Sequence, residues 1–158
     1  MSNGSRTERR TALVFGGSRG IGAAAASRLA ADGFAVALTY VSRPDKAAEV
    51  VSAIEAAGGT ALSIRADSAD PTAIRAATAQ TAEALGQIDV VVVNAGIIRI
   101  ATVDAFTLED LDLMLAVNVR GVFLAIQAAA SHMRDGGRII TIGSNTAVRT
   151  GTPGASVY

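Results

Sequence analysis

The chain has 158 residues, half of them apolar but only 4% aromatic, with 14 basic against 14 acidic side chains and no cysteine. That length suits one domain with a core of Ala, Val, Ile and Leu, the kind that fills parallel α/β sheets. The balanced charge argues against nucleic acid or a membrane surface as a partner, and the lack of cysteine excludes a disulfide framework, a thiol nucleophile and a cysteine metal site.

Met1 to Arg10 is polar, carries Arg6, Arg9 and Arg10, and lacks the apolar region of a signal peptide. It reads as a flexible lead (1–10) before a single domain (11–158). No run reaches 18 consecutive apolar residues, so no membrane span is predicted and a cytoplasmic protein is expected. Thr11–Phe15 is an apolar strand pattern, and the alanine-rich run from Ala23 to Ala30 is helical. Between them lies Gly16-Gly17-Ser18-Arg19-Gly20-Ile21-Gly22. Glycine at a strand-to-helix turn lets backbone approach a pyrophosphate, and the following helix offers free N–H groups and the positive end of its dipole. The pattern predicts a dinucleotide site.

The alternation continues. Phe34–Tyr40 reads as a buried strand. Ser42-Arg43-Pro44-Asp45 starts a helix, with Ser42 as cap, an early proline and an acid in the first turn. That helix passes through Val50, Val51 and Ile54 and stops at Gly58-Gly59. Thr60–Ile64 is a third strand. Asp70-Pro71 opens a third helix, which uses Ile74 and Leu85 for the core and ends at Gly86. Ile88–Asn94, with four successive valines, is a strand buried on both faces. Thr107-Leu108-Glu109-Asp110 resembles a capping box and opens a long helix to about Arg134, with His132 near its end as a surface residue. Asp135-Gly136-Gly137 breaks it, Arg138–Gly143 is the last strand, and Ser144–Tyr158 reads as loop. Strands alternating with helices imply right-handed crossovers and a Rossmann-like doubly wound α/β fold, strand order 3-2-1-4-5, with ligand at the carboxyl ends. The single histidine and the scattered acids offer no metal site.

Taken together these motifs resemble the short-chain dehydrogenase/reductase family over nearly the whole chain. Gly16, Gly20 and Gly22 match the family's glycine signature, with Phe15 where a threonine usually precedes it. Asn94-Ala95-Gly96 matches the motif after the fourth strand, with Val93 in place of its first asparagine. Asn118 matches the helix asparagine, Ser144 the catalytic serine and Tyr158, fourteen residues on, the catalytic tyrosine. The missing threonine hydroxyl puts the rigidity of the turn in question.

The resemblance implies an oxidoreductase moving hydride between a nicotinamide dinucleotide and a carbonyl or alcohol. Tyr158 is implied as general acid/base, Ser144 as the group positioning the substrate oxygen, and Asn118 as the holder of a water. It also implies that Asp67 and Ser68 bond the adenine and that Asn94, Ala95 and Gly96 line the cofactor. Ser18, Arg19 and Ile21 join the glycines in contacting it. An NAD-specific fold puts Asp or Glu at the end of the second strand to bond the ribose 2′-OH. Here Thr39-Tyr40-Val41-Ser42-Arg43 holds no acid, so Tyr40, Ser42, Arg43 and Arg19 are expected to favour NADP(H) over NAD(H). Family members place a lysine four residues after the tyrosine and continue into two more strands. The expectation is therefore an incomplete domain, inactive as it stands, with the fifth strand exposed at Ile139, Ile140 and Ile142. In longer relatives oligomers form partly through the long helix, which implies a homo-oligomeric parent. A nucleotide-binding module without catalysis is the alternative; Ser144 and Tyr158 at catalytic spacing count against it.

Overall fold

The computed structural model describes residues 9–147 and Gly154. Five parallel strands form one sheet: β1 (Thr11–Phe15), β2 (Ala35–Tyr40), β3 (Thr60–Arg65), β4 (Ile88–Val93) and β5 (Met133–Thr141), in the order β3-β2-β1-β4-β5. Helices α1 (Gly20–Ala31), α2 (Pro44–Ala56) and α3 (Pro71–Leu85) connect the first four strands. Between β4 and β5 run α4 (Leu108–Leu115), a π-helical segment (Ala116–Gly121) and α5 (Val122–Ala130). The strand order and the Rossmann-like architecture are those expected from the sequence.

Period-two alternation divides β1 between two cores. Leu13 and Phe15 join Ile74, Val91, Val93, Ala125 and Ala129 on one face. Ala12 and Val14 join Ala26, Val36, Leu38 and Ile54 on the other. Both sheet faces are thus covered, which is why these strands read as nearly unbroken apolar runs. Small side chains on α1 and α5 let helices lie close to the sheet. The stretch Leu108–Ala130 has the length and apolar composition to cross a membrane; here it packs Ala125 and Ala129 into the core beside the sheet.

Several local expectations are corrected. The long helix ends at Ala130 rather than Arg134, and β5 begins at Met133 rather than Arg138. Ser131 Oγ bonds the Ala128 carbonyl and His132 N–H the Ala129 carbonyl, closing the helix early. His132 is therefore half-buried past the helix end, with its carbonyl accepting from Ile88 N–H. The predicted breaker Asp135-Gly136-Gly137 lies inside β5, where the register jumps from Ile88↔Met133 to Val90↔Arg138. Gly136 takes φ 81° there, so the glycines make a bulge within the strand. Two residues of the expected lead make contacts with the domain. Arg9 Nη1 bonds Thr60 Oγ1, and the Arg10 guanidinium sits 4.1 Å from the Phe34 ring centroid. Ser42 caps nothing: the residue before α2 is Arg43, whose guanidinium has no acceptor to offer the helix amides, and no side-chain cap forms. Thr107 does cap α4, but Asp110 pairs with Arg99 instead of closing the box.

β5 lies at the sheet edge, with Ile139, Ile140 and Ile142 partly exposed. At the opposite end from the glycine turn, Asp89 ties β1 to β4. Its Oδ2 accepts from Thr11 N–H at 2.7 Å and Oδ1 lies 3.5 Å from Arg134 Nε. Thr11 is fully buried, so removing its acceptor orphans an N–H. Asp89→Ala is expected to cost about 1–3 kcal/mol, read as a lowered urea midpoint. An unchanged midpoint would show that Asp89 does not hold this junction.

Candidate functional site

A cleft of about 430 Å³ opens over the carboxyl ends of β1, β2 and β4, the place where ligands bind open α/β sheets. Its floor is the glycine turn. Gly16 has φ 74° and Gly20 φ 54°, a left-handed conformation that suits glycine. The close approaches matter more. A Cβ on Gly22 would fall 2.1 Å from the Gly16 carbonyl oxygen and 2.6 Å from Asn94 Nδ2, and one on Gly16 would fall 2.9 Å from Ala95 Cα. Asn94 Nδ2 donates to the Gly16 carbonyl at 2.9 Å. Strand end, helix start and the 94–96 loop are therefore packed into space that side chains would fill.

The turn delivers α1 to the cleft uncapped. Arg19 precedes the helix in extended backbone, without a side-chain cap, and the first turn has no acid. The first intrahelical bond is Ala23 N–H to the Arg19 carbonyl. The amides of Gly20, Ile21 and Gly22 are left without an intrahelical acceptor. With the helix dipole behind them, those of Gly20 and Ile21, which line the cleft, form a ready anion seat.

Of the residues expected to contact a cofactor, Gly16, Ser18, Arg19, Gly20, Ile21, Tyr40, Ser42, Arg43, Asp67, Ser68, Asn94, Ala95 and Gly96 all line the cleft. Gly22 does not; it is buried beneath the turn, where it permits the packing. Asp67 Oδ1 is partly spent on the Ala69 amide at 2.8 Å. The Ser68 carbonyl is docked so closely on Gly121 that a Cβ there would fall 2.2 Å away. Arg43 is not a free cation: its Nε and Nη2 bond Asp45 Oδ1 and Oδ2 at 3.0 and 2.6 Å. That bond to Arg43 is the chief reason the Asp45 carboxyl is held down to about 2. A carboxyl shifted this way keeps its ion pair above the ordinary range and loses it only as pH falls through about 2.

The Asn118 side chain is tied to Ile97 at both ends of its amide. Its Oδ1 accepts from Ile97 N–H at 3.0 Å and its Nδ2 donates to the Ile97 carbonyl at 2.8 Å. Asn118 therefore fixes the loop after Gly96. It lies within the π-helical segment Ala116–Gly121. Ser144 is exposed beyond β5, its Oγ 3.0 Å from Thr146 Oγ1. Tyr158 lies outside the described residues. Among the described residues no group of three or more His, Cys, Asp or Glu could hold a metal ion.

Sequence reasoning missed Thr39. Its hydroxyl accepts from Gly16 N–H at 2.9 Å, and its carbonyl accepts from Gly17 N–H at 2.9 Å. Thr39 is 1% exposed. It ties down the turn from β2, answering the doubt raised by Phe15. The available signal was a lone hydroxyl near the end of an apolar strand. Val41, Ala66, Ile97 and Val117 also line the cleft without having been singled out.

Comparison with known proteins places this geometry in context. Residues 10–158 match the family described as short chain dehydrogenase. Versicolorin reductase 1 of Aspergillus parasiticus is 41% identical over 158 residues, covering 100% of this chain and 60% of the relative. A short chain dehydrogenase from Burkholderia cenocepacia, solved in complex with NADP, is 54% identical with TM-score 0.91, covering 96% of this chain and 61% of its own. A blue fluorescent protein from a metagenomic library, solved with NADPH, is 49% identical with TM-score 0.90, covering 94% and 61%. The chain thus spans about 60% of the length of the proteins it matches.

Thr39→Val should leave the partly buried Gly16 N–H without its acceptor and lower stability by about 1 kcal/mol, whereas Thr39→Ser should keep most of it. Denaturant unfolding of both variants checks this. Equal loss in the two would assign the effect to packing rather than to the hydroxyl.

Proposed function

This chain belongs to the short-chain dehydrogenase family, and from that premise we propose that its cleft binds NADP(H) in preference to NAD(H) for reduction of a carbonyl or oxidation of an alcohol. The observation that carries the reading is the uncapped start of α1, with Arg19 at its rim, facing a β2 end that holds no carboxylate. An acid there would repel a 2′-phosphate; arginines attract it. The close-packed glycines and the bare amides fit a pyrophosphate. Gly20 and Ile21 would hold it through their backbone, Arg19 and Arg43 would face the 2′-phosphate, and Asp67 and Ser68 would face the adenine. NADP(H), when bound, supplies or accepts the hydride.

The protein's own part in the chemistry is the proton and the oxygen. Charge developing on a carbonyl oxygen is stabilised by a hydrogen-bond donor and removed by a proton donor. We assign the first role to Ser144 Oγ and the second to Tyr158 Oη, on the family spacing of the two residues. A phenol of ordinary pKa near ~10 needs a cation nearby to act as a base at neutral pH. Asn118, with its side chain locked on Ile97, positions the loop that borders the cleft. Self-association is part of the same proposal. Leu115, Val119 and Phe123 stand exposed along the long helix.

Direct titration tests the reading. The chain is expected to bind NADPH more tightly than NADH. Arg19→Ala should weaken NADPH binding by about tenfold, the loss expected for one charge-assisted contact, and leave NADH within twofold. Equal affinity for both dinucleotides, unaffected by Arg19→Ala, would overturn the preference.

A further inference from the structure

We propose that Asp45 is a specificity-setting residue that competes with a cofactor 2′-phosphate for Arg43 and so lowers the preference of the cleft for NADP(H). This rests on the cofactor reading above and deepens it. Arg43 lines the cleft, yet it presents two parallel N–H groups to the Asp45 carboxylate, at 3.0 and 2.6 Å. That is the fork geometry by which a guanidinium takes a phosphate. The carboxylate therefore stands where a second anion on this arginine would bind.

The sequence builds the competitor in. Pro44 begins α2 and contributes no N–H, so the first free amides of the helix are those of Asp45 and Lys46. Both amides add to the pull on the Asp45 carboxyl, after the Arg43 contact. One carboxylate thus collects the guanidinium and the helix start together. The neighbouring charges do not relieve it. Lys46 is occupied by Glu49 at 2.7 Å, and Glu49 adds only a minor Coulombic attraction on Arg43. With its carboxyl held at about 2, Asp45 stays charged at any working pH.

The two cleft arginines are then unequal. Arg19 has no ion pair among the described residues, so its full charge faces a ligand. Arg43 presents a neutral pair until Asp45 is displaced. Both members of that pair are about half exposed, 55% and 54%, so water lowers the cost of exchange and the effect is modest.

The test is titration of the chain with NADPH and NADH at low salt, comparing wild type with Asp45→Asn. Because the side chain is exposed, this change leaves the core untouched. Asp32→Asn, at the far end of α1 and paired with Arg28 at 3.0 Å, controls for net charge. Asp45→Asn is expected to tighten NADPH binding by about two- to fivefold, the range an exposed pair allows. NADH should not change, the gain should shrink at high salt, and Arg43→Ala in the same background should abolish it. Asp32→Asn should give no gain. Unchanged or weaker NADPH binding in Asp45→Asn, with wild-type preference and Arg19 sensitivity intact, would overturn the role of Asp45 alone. A wild-type chain without preference for NADPH would overturn this proposal and the cofactor reading together.

Discussion

The structure depends on a contact that exists only because side chains are missing. At Gly22 the helix start touches the Gly16 carbonyl, and Asn94 Nδ2 bonds that same oxygen. Three segments distant in sequence converge there: the end of β1, the first turn of α1 and the loop after β4. Any Cβ at Gly22 would sit well inside van der Waals distance of two of them. The approach does two things at once. It fixes the direction in which α1 leaves the sheet, and it brings the uncapped first-turn amides to the rim of the cleft. Thr39 completes the arrangement from β2, taking the Gly16 and Gly17 amides inward. The amides turned toward the cleft are consequently those of the helix start.

Charge around this seat is arranged by what the end of β2 lacks. With no carboxylate at Thr39–Ser42, the rim holds Arg19 unpaired by any acid among the described residues and Arg43 neutralised by its neighbour two residues on. Backbone amides read the pyrophosphate in any dinucleotide, while side chains read the 2′ position. The first are set by the fold; the second are adjustable by single surface residues. That division explains how one architecture can serve either cofactor.

Much of this was legible from the amino acids. Apolar runs bounded by glycine and proline gave the strands and helices, and strict alternation gave a parallel sheet with its ligand end. The glycine spacing located the cleft, and the lining contains every residue expected to contact a cofactor except Gly22. What escaped was decided by tertiary contact. The π-helical segment contains Asn118, which bonds Ile97, a partner 21 residues away. The early start of β5 follows from pairing with Ile88 across a glycine bulge, where local propensity suggests a helix break. Arg9 and Arg10 are held by Thr60 and Phe34, neighbours only in the folded sheet. Asp45 was read as a first-turn acid, correctly, but its grip on Arg43 could not be seen from spacing.

The central claim is that the start of α1, presented by the glycine turn, receives the phosphates of a dinucleotide. Amide chemical shifts of the isotopically labelled chain, followed during titration with NADPH, test it residue by residue. The account predicts the largest changes at Ser18–Ile21, smaller ones at Ser42 and Arg43, and none at Arg9 or His132 on the opposite end of the sheet. Saturable binding that leaves Gly20 and Ile21 undisturbed would contradict it.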